Sequence, residues 1–199
     1  MLTRCNEANR VKCEQYWPLP GESNEFDDSD AGPAIRVTSV HESDADGIGW
    51  CERDFIISQP GTSNGRTLNV TQLHFTTWPD HGVPDSIDQF MRFLRRSMEV
   101  HSRFGRIGGG NSPVVVHCSA GVGRSGVFCA VYAVIVSLPF LGQDEYTSID
   151  VETVVKKMRD CRRYMVQTES QFRFCFEAIA AGVETYMQTQ SFPSELAAN

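Results

Sequence analysis

The chain has 199 residues, 41% hydrophobic, 22% charged and 10% aromatic, the proportions of one globular domain with a sizeable core and not of a disordered tract. A formal net charge of -7, with no basic stripe or K/R-rich run, leaves no support for nucleic acid or an anionic membrane surface as partner. The seven cysteines (Cys5, Cys13, Cys51, Cys118, Cys129, Cys161, Cys175) form no C-x-x-C pair and no Cys/His cluster at zinc spacing, which argues against a disulfide framework and a structural metal.

No stretch approaches the roughly 18 apolar residues that span a bilayer, and the N-terminus MLTRCNEANRVK lacks an apolar h-region, so the chain reads as cytoplasmic. Acidic residues gather early, from Glu22 to Asp30 and at Glu42, Asp44 and Asp46, as a solvated surface. Residues 18–34, PLPGESNEFDDSDAGPA, read as a turn-rich loop. IRVTSVH (35–41), WCERDFIIS (50–58) and RTLNVTQLHF (66–75) alternate and are rich in β-branched residues, predicting an antiparallel meander.

After TTWPDHGVP the period changes. Residues 86–104 place Ile87, Phe90, Met91, Leu94 and Met98 on one helical face. Pro113 to His117 is predicted as a short, fully buried strand and Ser125 to Leu138 as a buried helix. Two more helices are expected, over 149–161 and 168–187, the latter opened by a capping box of Thr168 and Gln171. Cys129 and Cys175 fall in apolar helical patterns and read as small buried hydrophobes. His41, His74 and His101 read as structural or exposed, and Tyr16 and Trp17 as packing residues. The fold class is α/β with α+β character: a twisted mixed β-sheet flanked by helices, with a phosphate-binding loop between a buried strand and a helix.

That loop, in VVVHCSAGVGRSG (114–126), contains G-x-G-x-x-G between Gly121 and Gly126. A dinucleotide fingerprint also needs a following strand and an acid about 20 residues on, whereas Asp144 and Glu145 precede another helix. The nucleotide P-loop requires a lysine that this stretch lacks. What remains is an anion loop with a cysteine. Between Cys118 and Arg124 lie five residues, three of them Gly or Ala, able to turn backbone N–H groups inward at a helix start, a cradle for a tetrahedral dianion. The same field stabilises a Cys118 thiolate, and Arg124 offers its planar fork to two phosphate oxygens.

The string from His117 to Gly126 resembles the signature of the tyrosine-specific protein tyrosine phosphatases, and KCEQYWP (12–18), HFTTWPDHGVP (74–84) and MVQTESQF (165–172) resemble further family stretches in family order. The resemblance implies hydrolysis of phosphotyrosine in proteins, with Cys118 as nucleophile and carrier of a phosphocysteine intermediate. It implies that Arg124 and the loop residues Ser119, Ala120, Gly121, Val122 and Gly123 hold the phosphoryl oxygens, and that Asp80, beside Trp78 on a closing lid, is general acid and then base. It implies further that Ser125 eases thiolate departure, that Gln167 and Gln171 position the hydrolytic water, and that His117, Trp78 and Glu7 support the loop, Glu7 by orienting the arginine. His81 supports the lid.

No cofactor and no metal are implied, and the partners are phosphotyrosine-containing signalling proteins, with receptor or soluble parentage open. The family's early N-terminal elements, including the loop that grips the substrate ring, have no counterpart here. Residues 1–190 are therefore read as the C-terminal portion of a catalytic domain, whose sheet exposes an edge or apolar face, and 191–199 as a disordered tail. The alternative is a catalytically inactive phosphotyrosine-binding or scaffold module, or a non-functional fragment, because that loop is missing.

Overall fold

The computed structural model describes residues 1–27, 34–44, 47–60, 67–79, 82–107, 112–141 and 148–189. The chain divides into two compact units, Met1 with Thr3–Thr76, and Leu2 with Thr77–Asn199.

In the first unit, β1 (Asn6–Glu7) and β2 (Arg10–Val11) form a small antiparallel hairpin. Its two turn residues, Ala8 and Asn9, have φ of 45° and 60°, the left-handed pair that suits a two-residue hairpin turn. The larger sheet runs β3 (Ser23–Phe26), β4 (Ile35–Asp44), β5 (Trp50–Ser58) and β6 (Thr67–Phe75), each strand antiparallel to the next. Its alternation buries Phe55 of β5 against Met1 and Trp17, with Val37 and Val70 packed around them. The Met1 ammonium donates to Leu73 O at 2.7 Å and Phe75 N to Met1 O at 2.9 Å, while His74 Nε2 donates to Thr3 O at 2.8 Å.

The expected meander is present, and the expected loop over 18–34 contains a strand besides. SNEF carries no apolar alternation, yet it pairs with β4 because Ser23 shares a hydrogen bond with Thr38 and Glu25 takes Arg36 in an ion pair. Only its partner strand makes it a strand.

The second unit is helical: α1 (Ile87–Ile107), α2 (Gly123–Ser137, with a 3-10 turn over Leu138–Phe140), α3 (Val151–Cys161) and α4 (Glu169–Thr189). The stripe predicted for α1 is buried at Phe90, Met91, Leu94 and Met98. Helix α2 is the core, buried at nine positions including Val127, Phe128, Val131 and Ile135. Gly182 admits α4 to it, since a Cβ there would meet Ile135 Cδ1 at 2.3 Å. Phe90, Phe174 and Trp78 close an aromatic cluster with centroids 5.1 to 6.5 Å apart. Full burial of each ring is worth about 1.5–3 kcal/mol.

Two expectations change here. The window Gly123–Phe140 is long and apolar enough to cross a membrane by length and composition, contrary to the expectation that no stretch approaches that. It is 61% buried within the protein, the condition of a core helix. The predicted buried strand over 113–117 joins no ladder among the described residues, with Val114 45% and Val115 82% exposed. Among the described residues the backbone of Val114 to Val116 has no partner, and the segment is tied only at His117, whose carbonyl accepts Leu2 N at 2.9 Å. An apolar run is buried only where other strands cover it. The ladders of the described residues are all antiparallel, and with the four helices they bear out the α/β class with α+β character.

Candidate active site

The loop from Cys118 to Val122 ends as α2 begins at Gly123. No side chain caps this helix start, and the backbone N–H of Ser125 in its first turn bears on the Cys118 sulfur. Gly121, at φ 71°, turns the chain, and its N–H donates to the Cys118 sulfur at 3.3 Å. Cys118 is 7% exposed. Burial pushes its thiol pKa up, but the Ser125 hydroxyl and the amides of Ser125, Gly121 and Val122 outweigh that and bring it below the ordinary value. Ser125 Oγ is itself buried with no well-formed hydrogen bond, which leaves its hydroxyl available to the adjacent sulfur.

Arg124 is held by two carbonyls. Its Nη1 donates to Leu2 O at 3.1 Å and its Nη2 to Pro79 O at 2.9 Å, while its guanidinium carbon lies 5.9 Å from the ring centre of buried Trp78. Trp78 Nε1 in turn donates to Gly82 O at 3.3 Å. The planar fork is thus pre-set before any anion arrives. His117 Nδ1 donates to Cys118 O at 3.2 Å, and burial lowers its pKa, so the ring reads as a neutral brace.

The two glutamines converge on the same loop. A Cβ on Gly123 would stand 3.1 Å from Gln171 Nε2 and 3.4 Å from Gln167 Oε1. The predicted capping box exists: Gln171 N donates to Thr168 Oγ1 at 3.2 Å, and Gln171 Oε1 accepts from Thr168 N at 3.4 Å and Gln167 N at 2.9 Å. Gln171 therefore serves both as cap and as neighbour of the loop.

Gln167 is presented by a turn that the sequence does not announce. Tyr164 and Val166 have φ of 68° and 58°, a costly conformation for a β-branched residue. Arg159 offsets that cost by donating to the carbonyls of Met165 and Val166 at 2.9 and 2.7 Å, and Val166 N donates to Val122 O at 3.0 Å. The close approach requires Gly126, where a Cβ would stand 2.3 Å from Val166 N. Arg162 also reaches the loop, donating from Nη2 to Ala120 O at 3.1 Å. Neither arginine carries a sequence signal, since basic residues at the end of a helix are ordinary.

Of the remaining expected residues, Glu7 is in the first unit, 3% exposed, with Oε1 accepting from Thr3 Oγ1 and Arg4 N, each at 3.1 Å. Asp80 and His81 lie outside the described residues, as do the tail residues 191–199. An apolar groove lined by Val151, Phe176, Ile179, Val183 and Met187 contains none of the loop residues and no nucleophile, so it is not where this chemistry would occur.

A family model described as protein-tyrosine phosphatase matches residues 1–181. Among similar curated proteins, receptor-type tyrosine-protein phosphatase S of Gallus gallus is 37% identical over 183 residues, covering 92% of this chain and 11% of that protein. Receptor-type tyrosine-protein phosphatase H of Homo sapiens is 38% identical over 186 residues, covering 90% of this chain and 14% of its own length. Tyrosine-protein phosphatase 2 of Dictyostelium discoideum is 31% identical over 198 residues, covering 96% of this chain and 46% of its own. The chain thus spans less than half of each of these relatives.

Proposed function

Because the chain belongs to the protein-tyrosine phosphatase family, we propose that it hydrolyses phosphotyrosine in proteins, through a phosphocysteine intermediate on Cys118. The observation that carries this reading is the geometry of the loop, in which the Cys118 sulfur accepts the Gly121 N–H at 3.3 Å and the Arg124 guanidinium is fixed by two carbonyls, and the same inward groups draw the thiol pKa down.

In the first step the Cys118 thiolate attacks phosphorus in line as the bond to the tyrosine oxygen breaks, and Asp80 gives its proton to that oxygen, whose conjugate acid has a pKa near ~10. Arg124 and the amides from Ser119 to Gly123 hold the three equatorial oxygens, supplying the positive field where charge spreads. In the second step Asp80 takes a proton from a water positioned by Gln167 and Gln171; the new P–O bond forms as the S–P bond breaks, and Ser125 donates to the departing thiolate. His117 and Trp78 brace the loop and Arg124, and Glu7 keeps the supporting role that the resemblance gives it. The substrates are phosphotyrosine-containing proteins of signalling, and the receptor-type names among its relatives support a receptor-type parent. A reactive thiolate is sustained in a reducing compartment, which supports a cytoplasmic site of action.

The test is the initial rate of phosphate release from a phosphotyrosyl peptide, with a chelator and a thiol reductant present, for the chain, its Cys118→Ser form and its Asp80→Asn form. Turnover lost in the first variant and reduced by roughly 10²- to 10⁴-fold in the second is expected. Absence of turnover in the unsubstituted chain would overturn the proposal.

A further inference from the structure

We propose that Arg162 is a positioning residue for the phosphate loop: by holding the outward carbonyl of Ala120, it keeps the N–H of Gly121 turned in on the Cys118 sulfur. The inference rests on the reading of this loop as the site of phosphoryl transfer.

A peptide unit is planar and trans, so its carbonyl and its N–H point in opposite directions, and fixing one fixes the other. Here the carbonyl belongs to Ala120, which accepts from Arg162 Nη2 at 3.1 Å, and the N–H belongs to Gly121, which donates to the sulfur at 3.3 Å. This is also the peptide of the loop freest to turn over, because Gly121 at φ 71° has no side chain to resist rotation. Turned over, it would present a carbonyl dipole to the thiolate and later to the phosphoryl oxygens. A Cβ on Gly121 would stand 3.2 Å from Arg162 Nη2, so the guanidinium lies against the outer face of that residue.

Among the described residues, Cys129 on α2 interacts electrostatically with Cys118, His117 ahead of the loop donates to the Cys118 carbonyl, and Arg124, six residues on, is held by the carbonyls of Leu2 and Pro79. The glutamines presented at the start of α4 are neutral. Arg162 acts through the peptide, and its positive charge outside the loop acts in the same direction as the hydrogen bond.

The experiment follows alkylation of Cys118 in the full chain by iodoacetate across pH, read by mass spectrometry on the peptide that carries Cys118 and so requiring no turnover, together with thermal melting and kcat/KM on a phosphotyrosyl peptide. Arg162→Met keeps the aliphatic stem and removes the donors. It is expected to raise the midpoint of Cys118 alkylation by about half a pH unit and to lower kcat/KM about three- to tenfold, with melting unchanged. Arg162→Lys is expected to recover part of both effects.

An unmoved midpoint in Arg162→Met overturns the proposal whatever happens to kcat/KM. Should that variant melt early, the midpoint of the Arg162→Ala form decides in the same way. A shifted midpoint in a chain that never turns over phosphopeptide would refute the phosphatase reading and leave the positioning role standing. Normal turnover with an unmoved midpoint would do the reverse.

Discussion

Cys118 is subject to two opposed effects, burial that favours the neutral thiol and inward hydrogen bonds that favour the thiolate, and the second is larger. The sign of its pH linkage follows. With the folded pKa below the unfolded value, the unfolded chain binds more protons between the two, so the contribution of this thiol is present above about 8.5 and is lost as pH falls through the folded value. The unfolding free energy of the chain, minus that of its Cys118→Ser form, should therefore rise with pH across that window, and a flat difference would contradict it. Cys13 and Cys175, pushed by burial to about 11 and about 12, act oppositely but cancel in this subtraction. The two glutamines differ at the same scale. Gln167→Ala should slow hydrolysis of the intermediate without lowering the melting temperature, whereas Gln171→Ala should lower both, because Gln171 also caps α4. Trapping phosphocysteine by acid quench, beside a melting curve, separates the two.

At the scale of elements, the start of α2 and the turn before α4 are one construction. Val166 is held in a left-handed conformation against Val122, and Gly126 leaves the room. Gly126→Ala drives a methyl group into backbone that cannot yield as a flexible side chain would, at an expected loss of about 1–3 kcal/mol or more. Chemical denaturation should show it, and a variant as stable as the parent would mean that the turn moves freely. The strands of the meander and the helix stripes are legible in sequence, since WCERDFIIS bounds β5 and the apolar spacing of α1 gives its buried face. The strand SNEF and the turn carrying Gln167 are not, because each exists through a partner remote in the chain.

For the molecule as a whole, the apolar segment ahead of the loop stands out among the described residues for its lack of backbone support. Val114 to Val116 have no backbone partner among the described residues, and Val115 is largely exposed. Their amides should exchange with solvent far faster than those of β5, which is paired on both sides. Hydrogen exchange resolved to these residues checks it, and slow exchange at 114–116 would mean that another strand covers them in solution. The sequence predicts this segment as a buried strand, and its exposure shows that apolar composition alone does not bury it.

The sequence alone determined the family, and it named the candidate reagents on which the proposed function rests. A nucleophile, an anion-turning loop and an arginine within seven residues form a local chemistry, and the longer string around them specifies the family. What only the tertiary structure decided is how those reagents are aimed. Arg124 is fixed by carbonyls 122 and 45 positions away, and Gly121 is backed by an arginine 41 positions further on. Hydrogen bonds of that kind join backbone carbonyls, which every residue carries, to side chains that spacing does not single out. No residue pattern marks them until the chain has folded.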